Sequence, residues 1–177
     1  MKRIAIAILL SAATVPAVAA DMYFGLRGGQ AKTNIENNTF NNSTVTSSKP
    51  NGWGVFVGHK FNSNYALEGE YLNLGEIKAG ESSAKSTGVS LSGVGSIPFN
   101  RNFSLFGKLG FAMITGKPGG AYVGNEKKSK AWTYGLGAQF NLNSSVGMRL
   151  GWDKYKFNDS GLNGDASLTS VGVLFNF

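Results

Sequence analysis

From Met22 onward the sequence alternates apolar residues with small or polar ones at every second position, and it does so in eight separate runs. A two-residue period puts successive side chains on opposite faces of an extended strand, and no useful window keeps the 3.6-residue recurrence of an amphipathic helix. The alternation predicts strands over Met22–Ala31, Gly52–Phe61, Tyr65–Leu74, Thr87–Ile97, Phe103–Ile114, Trp132–Phe140, Val146–Phe157 and Ser167–Phe177. Most are about as long as the ~9–11 residues with which a tilted strand crosses a bilayer.

The connections carry independent information. Asn62–Asn64, Pro98–Asn102 and Asn141–Ser145 read as short turns, whereas Thr33–Asn51, Gly75–Ser86, Thr115–Lys130 and Asn158–Ala166 read as longer polar loops. Short and long alternate along the chain. A meander through a membrane sorts its connections in this way, with short turns on the periplasmic side and longer loops outside.

The two faces of each run differ. Trp53, Val55 and Val57 oppose Gly54, Phe56 and Gly58; Leu67 and Tyr71 oppose Glu68 and Glu70; Leu109, Phe111 and Met113 oppose Lys108 and Gly110; Met148, Leu150 and Trp152 oppose Arg149, Gly151 and Asp153. One face is apolar throughout. The other is glycine, serine and charge, with too few apolar atoms to promise a dry core. A soluble barrel would bury the apolar face, so the pattern favours the inside-out arrangement of a membrane barrel. A sheet in lipid must also close, because each unpaired backbone group there costs several kcal/mol. The fold class expected is therefore all-β, an eight-stranded antiparallel up-and-down transmembrane β-barrel. Aromatic residues fall near strand ends, with Phe61, Tyr65, Phe99, Phe103, Phe140, Phe175 and Phe177 by the short turns. Trp53, Trp132, Trp152 and Tyr155 fall toward the loops, as two interfacial girdles require.

Residues 1–20 read differently. Lys2 and Arg3 precede an apolar stretch from Ile4 to Ala13 and a small-residue end at Ala17–Ala20. These are the parts of a cleaved secretory signal peptide, with the barrel domain over residues 21–177. Removing Lys2 and Arg3 lowers the formal charge of +7 by two. A mildly basic exported chain without a basic stripe between stacking aromatics excludes nucleic acid as a partner. Anionic headgroups and lipopolysaccharide phosphates are the natural counter-charges. Cys is absent, so no disulfide or thiolate site exists.

Several stretches resemble a known family. GVFVGHKFNSNYALEGEYLNLG (Gly54–Gly75) is similar to the second hairpin of the outer membrane protein A transmembrane domain and of small opacity-protein-like barrels. MYFGLRGG (Met22–Gly29), Leu91–Ala112, GMRLGWDKY (Gly147–Tyr155) and the ending SVGVLFNF share that resemblance. It implies a bacterial outer membrane barrel without cofactor, and a charged network in its interior at Arg27, Glu68, Lys108 and Arg149. Gln139 and Gly151 stand where the family commonly has acids. Glu70 and Asp153, inward by alternation, supply negative charge. With Lys60 the expected network has four cations against three acids, close to the balance that a poorly solvated interior requires. The resemblance further implies that the assembly machinery reads the last strand, through Val171, Val173, Phe175 and Phe177.

Catalysis has little to stand on. His59 is the single histidine. It falls on the apolar face near a short turn, with Phe61 where small lipid A deacylases of this kind place a serine. A girdle role is expected for it, and no catalytic, metal or cofactor residue is assigned. Lys117, Lys127, Lys128 and Lys130 make the third long loop basic and are candidates for contact with lipopolysaccharide phosphates or a host polyanion. The Asn37 and Asn42 triplets match a glycosylation pattern but read as polar loop. The function expected is a monomeric, non-enzymatic outer membrane protein with an envelope-structural or surface-interaction role. A narrow ion-conducting pore, a host-adhesion or complement-evasion protein and a lipid A-modifying enzyme are the alternatives.

Overall fold

The computed structural model describes residues 21–36, 50–79, 82–120, 127–159 and 162–177. The signal peptide expected over residues 1–20 and the asparagine triplets at 37–39 and 42–44 lie outside the described residues. Eight strands run in sequence: β1 (Met22–Glu36), β2 (Asn51–Lys60), β3 (Tyr65–Ala79), β4 (Ser82–Pro98), β5 (Phe103–Gly120), β6 (Lys127–Asn141), β7 (Val146–Asp159) and β8 (Leu162–Asn176). Each pairs antiparallel with the next, and β8 returns to β1, so the sheet is a closed barrel.

The strands run further than the alternation predicts, almost all of it at the long-loop end. The expected loop Gly75–Ser86 is mostly ladder, with Glu76 opposite Lys85 and Lys78 opposite Ser83. Within the expected loop Thr115–Lys130, positions 115–120 and 127–130 belong to β5 and β6; within Asn158–Ala166, positions 158–159 and 162–166 belong to β7 and β8. The reason is physical. Beyond the lipid, side chains have no apolar medium against which to alternate, so periodicity falls silent while backbone pairing continues. At the other end β2 stops at Lys60 and β8 at Asn176, each one residue short of expectation.

The three short turns are built alike. Asn62 Oδ1 accepts the N–H groups of Asn64 and Tyr65, both at 2.8 Å. Asn100 does the same for Asn102 and Phe103 (2.9 and 2.7 Å), and Asn143 for Ser145 and Val146 (2.9 and 2.8 Å). One asparagine thus replaces the missing strand partner for two backbone donors in each turn. At the long-loop end β3 carries a bulge between Asn73 and Gly75. Gly75 holds φ of +85°, a conformation that a Cβ disfavours, and its N–H donates to Asn73 Oδ1 at 2.9 Å.

Large apolar side chains cover the outside: Leu91, Leu109, Leu136, Leu150 and Phe111 are each more than half exposed. Inside, the barrel is layered. Toward the long-loop end Ala31, Leu72, Leu74, Ala112, Ile114, Ala131, Tyr155, Ala166 and Leu168 form one dry apolar cluster, each at most 5% exposed. This corrects the expectation of an interior too polar for a dry core. Inward positions near the membrane centre are charged, but those above them are alanine and leucine. It also corrects Tyr155, expected in the outer girdle. Tyr155 shares the inward parity of Arg149 and Asp153 and is fully buried. Below the charged middle, Tyr23, Phe56 and Leu174 form a second, smaller cluster.

The inward aromatics fit because each faces a glycine on the adjacent strand: Tyr23 opposite Gly58, Phe56 opposite Gly25, Phe106 opposite Gly137. A Cβ at any of these glycines would collide with the facing ring. Removing side chain from the dry layer leaves a cavity that lipid cannot fill. Leu72→Ala and Leu168→Ala are each expected to lower unfolding free energy by about 2–5 kcal/mol in urea titrations of the liposome-folded barrel, against under about 0.5 kcal/mol for an exposed polar change such as Ser63→Ala.

Candidate functional site

The middle of the barrel holds three cations and three carboxylates in contact. Arg27, from β1, crosses the lumen: its Nε and Nη2 donate to the two oxygens of Glu70 at 2.5 and 2.8 Å. Its Nη1 donates to Asp153, and Nη2 also reaches the Tyr155 hydroxyl at 3.0 Å. Lys108, from β5, sits among the acids, 3.5 Å from Glu68, 3.4 Å from Glu70 and 3.0 Å from Asp153. Arg149, from β7, donates to Glu68 at 2.6 Å and to Gln139 at 3.1 Å, and Glu68 also accepts from the Tyr23 hydroxyl at 2.9 Å.

All six side chains are at most a tenth exposed. Removing charges from water to this depth costs several kcal/mol per ion, so only mutual pairing makes the arrangement tenable. The Arg149 guanidinium adds a second kind of support. It lies 5.3, 4.9 and 4.6 Å from the ring centres of Tyr23, Phe56 and Phe106, where the negative face of each ring attracts a cation. The free volume left within this layer is about 10 Å³, room for no more than one water.

Lys60 stands apart from these six. It is the last residue of β2, half-buried at the short-turn mouth, and its Nζ donates to Asn176 Oδ1 at 2.7 Å. The layer is therefore balanced three against three, and the fourth cation of the sequence reading belongs to the mouth. Gln139 bridges the two regions, accepting from Arg149 and donating to Asn141 Oδ1 at 2.9 Å. Sequence reasoning missed Tyr23 and Tyr155 as partners of the charges. Their inward parity was the available signal.

The basic cluster lies on strands. Lys117 is in β5 opposite Lys85 of β4; Lys128, Lys127 and Lys130 are in β6 opposite Thr115, Gly116 and Met113. This corrects its placement in a loop: the ladder continues past the membrane zone. Positions 117, 128 and 130 keep step with the outward row of Met113, Phe111 and Trp132, and position 127 is out of step. Lys85, Lys130 and Lys156 are exposed. Lys154 pairs with Asp165 at 3.0 Å nearby. At the opposite end, Val171, Val173, Phe175 and Phe177 are 39–59% exposed on the outer wall of β8 and just beyond it. His59 is also on the outer wall, edge-on to Phe61 with ring centres 5.4 Å apart.

The closed sheet, the apolar exterior and the charged lumen describe a membrane barrel, and residues 5–177 match the family described as outer membrane protein beta-barrel domain. The chain belongs to that family. No curated protein gives a significant sequence match. Among solved structures, Neisserial surface protein A is similar at 14% identity, with 88% of this chain and 97% of that chain covered and a TM-score of 0.72. Ail, the attachment invasion locus protein of Yersinia pestis, is similar at 16% identity over 89% of this chain and 99% of that one, with a TM-score of 0.60. OprG of Pseudomonas aeruginosa follows at 14% identity over 89% and 98%, with a TM-score of 0.54. At these identities the likeness is one of fold.

The lumen charges and the mouth cation differ in what they contribute. Glu70→Gln strands Arg27 and Lys108 beside a reduced negative charge and is expected to cost about 3–5 kcal/mol of stability. Lys60→Gln, at a half-exposed position, is expected to cost under about 1 kcal/mol. Urea midpoints of the two variants, folded in the same liposomes, check the contrast.

Proposed function

We propose that this outer membrane protein is a closed, non-conducting and non-enzymatic barrel that acts as a monomer and holds lipopolysaccharide phosphates against its outer wall. In this reading the short turns face the periplasm and the extended strand ends face outward. The observation that carries it is the register of the lysines. Lys85 and Lys117 occupy directly opposed positions, and Lys128 and Lys130 follow on the next strand. Lys130 stands opposite Met113, and Lys128 and the Lys85–Lys117 pair lie two and four residues beyond it, past the rim at Phe111 and Trp132. Against these positions, and Lys156 on β7, stand Glu76 opposite Lys85 and Asp165 opposite Lys156. A positive belt just above the apolar wall is where the phosphates of outer-leaflet glycolipid lie. Ail, a barrel of the same fold, has been solved in complex with the heparin analogue sucrose octasulfate, a precedent for polyanion binding to a barrel of this fold.

Two features support the absence of conduction and catalysis. The dry layer caps the charged layer on the loop side, and the charged layer itself leaves space for about one water. His59 faces outward against Phe61 with no acid or hydroxyl partner among the described residues. The outward row Val171, Val173, Phe175 and Phe177 supports recognition of β8 by the assembly machinery.

A variant with Lys85, Lys117, Lys128 and Lys130 all changed to Gln is expected to bind lipopolysaccharide at least about tenfold more weakly, with a shallower salt dependence. Surface-captured barrel titrated with lipopolysaccharide micelles measures both; unchanged affinity would overturn the reading. Planar bilayers containing the wild type are expected to stay silent, and discrete openings would restore the pore. Phe175→Ser with Phe177→Ser is expected to lower membrane insertion in cells while leaving refolding into detergent intact. Equal losses in both would point to stability alone.

A further inference from the structure

Below the Arg149 layer the lumen widens into a hollow of about 190 Å³ at the short-turn mouth. A second hollow of about 280 Å³ shares Lys60, Arg101, Asn141 and Asn176 with it. The charged residues lining the first are Lys60, Arg101 and Arg149, and no carboxylate lines either. All three lumen acids are held in the layer above, where Glu68 already answers Arg149. Among the described residues, no carboxylate lies within ion-pair distance of Lys60 or Arg101. Asp21, whose backbone oxygen accepts the Lys60 N–H at 2.7 Å, is the acidic residue beside this mouth and is not part of the lining.

Three cations thus line one hollow that has no carboxylate in its wall. Fold geometry does not demand this arrangement. Arg101 takes the middle place of its turn, where the two turns of the same build have Ser63 and Ser144. Serine therefore satisfies the turn, and arginine adds only its guanidinium.

The neutral groups around the hollow are set to donate. Asn176 uses its carbonyl to accept from Lys60, and Asn141 uses its carbonyl to accept from Gln139. Each amide then has its NH₂ left for another acceptor, and the Lys60 ammonium has two further donors. Most of the lining comes from lumen positions and turn tips, joined at the rim by Tyr65 and Phe103, so the hollow lies at the short-turn mouth of the barrel.

We propose that this mouth is a binding site for a soluble oxyanion, a phosphate or carboxylate group held between the Lys60 ammonium and the Arg101 guanidinium, with the Asn141 and Asn176 amides donating from the side. The guanidinium offers a planar fork that matches two oxygens of such a group, and the ammonium supplies a point charge opposite. The site is independent of the lysine belt on the outer wall, at the other end of the barrel.

The test is a titration of the full barrel, folded in detergent and checked by heat-modifiable migration. Side-chain amide resonances of Asn141 and Asn176 are followed by NMR. Inorganic phosphate is the first probe and acetate the second, each exchanged against chloride at constant ionic strength. Saturable shifts of both amides are expected with at least one of the two oxyanions. Saturation by phosphate alone assigns a phosphate group, and saturation by acetate alone assigns a carboxylate. Arg101→Gln, at an exposed turn tip that the fold tolerates, is expected to weaken binding about tenfold, the worth of one charge-assisted contact. Lys60→Gln is expected to weaken it by a similar factor, and Lys130→Gln on the outer wall to leave it unchanged. Linear shifts that never saturate with either anion would overturn the proposal. So would an affinity that survives Arg101→Gln and Lys60→Gln together.

Discussion

Everything in this molecule follows from the pairing of β8 with β1. In lipid no water is available to satisfy an unpaired N–H or C=O, so a sheet with a free edge cannot persist there. The register runs unbroken from Tyr23 opposite Asn176 to Glu36 opposite Asn163. Once eight strands close, the diameter is set, and the lumen is only wide enough to be filled by its own side chains. The glycine facing each inward aromatic is the sequence's answer to that limit. Tyr23, Phe56 and Phe106 need the space that Gly58, Gly25 and Gly137 leave open.

The same confinement explains the charges. Arginine and lysine in a narrow lumen have neither bulk water nor the option of reaching lipid, so each must meet an acid. Arg27, Lys108 and Arg149 each pair with acids on other strands, and Tyr23 and Tyr155 add hydroxyl contacts to the Glu68 and Arg27 ends of those pairs. Such a layer is costly to break and less clearly favourable to have, since a well-packed apolar filling could do as well. Its specific contribution is register. A one-residue slip of β1, β3, β5 or β7 would turn its charge into lipid.

The fold was legible because membrane and lumen impose opposite chemistry on alternate residues, a signal that survives in the sequence of every strand from Met22 to Phe177. Where that contrast ends, legibility ends. Residues 76–79 and 82–86 pair as regular ladder, yet nothing in Glu76, Lys78 or Ser83 alternates, so they read as loop. Lys60 read as a member of the charge network because parity specifies the face and not the height along it. Tyr155 read as girdle because its chemistry outweighed its parity, which was the better guide. The glycine–aromatic complementarity needs the register between strands, and no single segment contains it.

Layering gives the two ends of the barrel different freedoms. The apolar cluster from Ala31 to Leu168 separates the lysine positions of β4–β6 from the lumen charges, whereas Arg149 lines the mouth hollow as well as pairing with Glu68. Interactions between charges in aqueous surroundings fade over roughly 8 Å at physiological salt. The outer wall can therefore gain or lose lysines without disturbing the three-against-three balance within. The short-turn end is less free. Each of its turns depends on one asparagine that satisfies two backbone donors, and Asn64 and Asn102 tie one turn to the strand of another through Ser96 and Asn141. A cation such as Arg101 can change there only at the middle position of a turn, where the backbone makes no demand on the side chain. Charge held at that place in this barrel is thus under little structural constraint, and its cause must be sought in what the mouth meets.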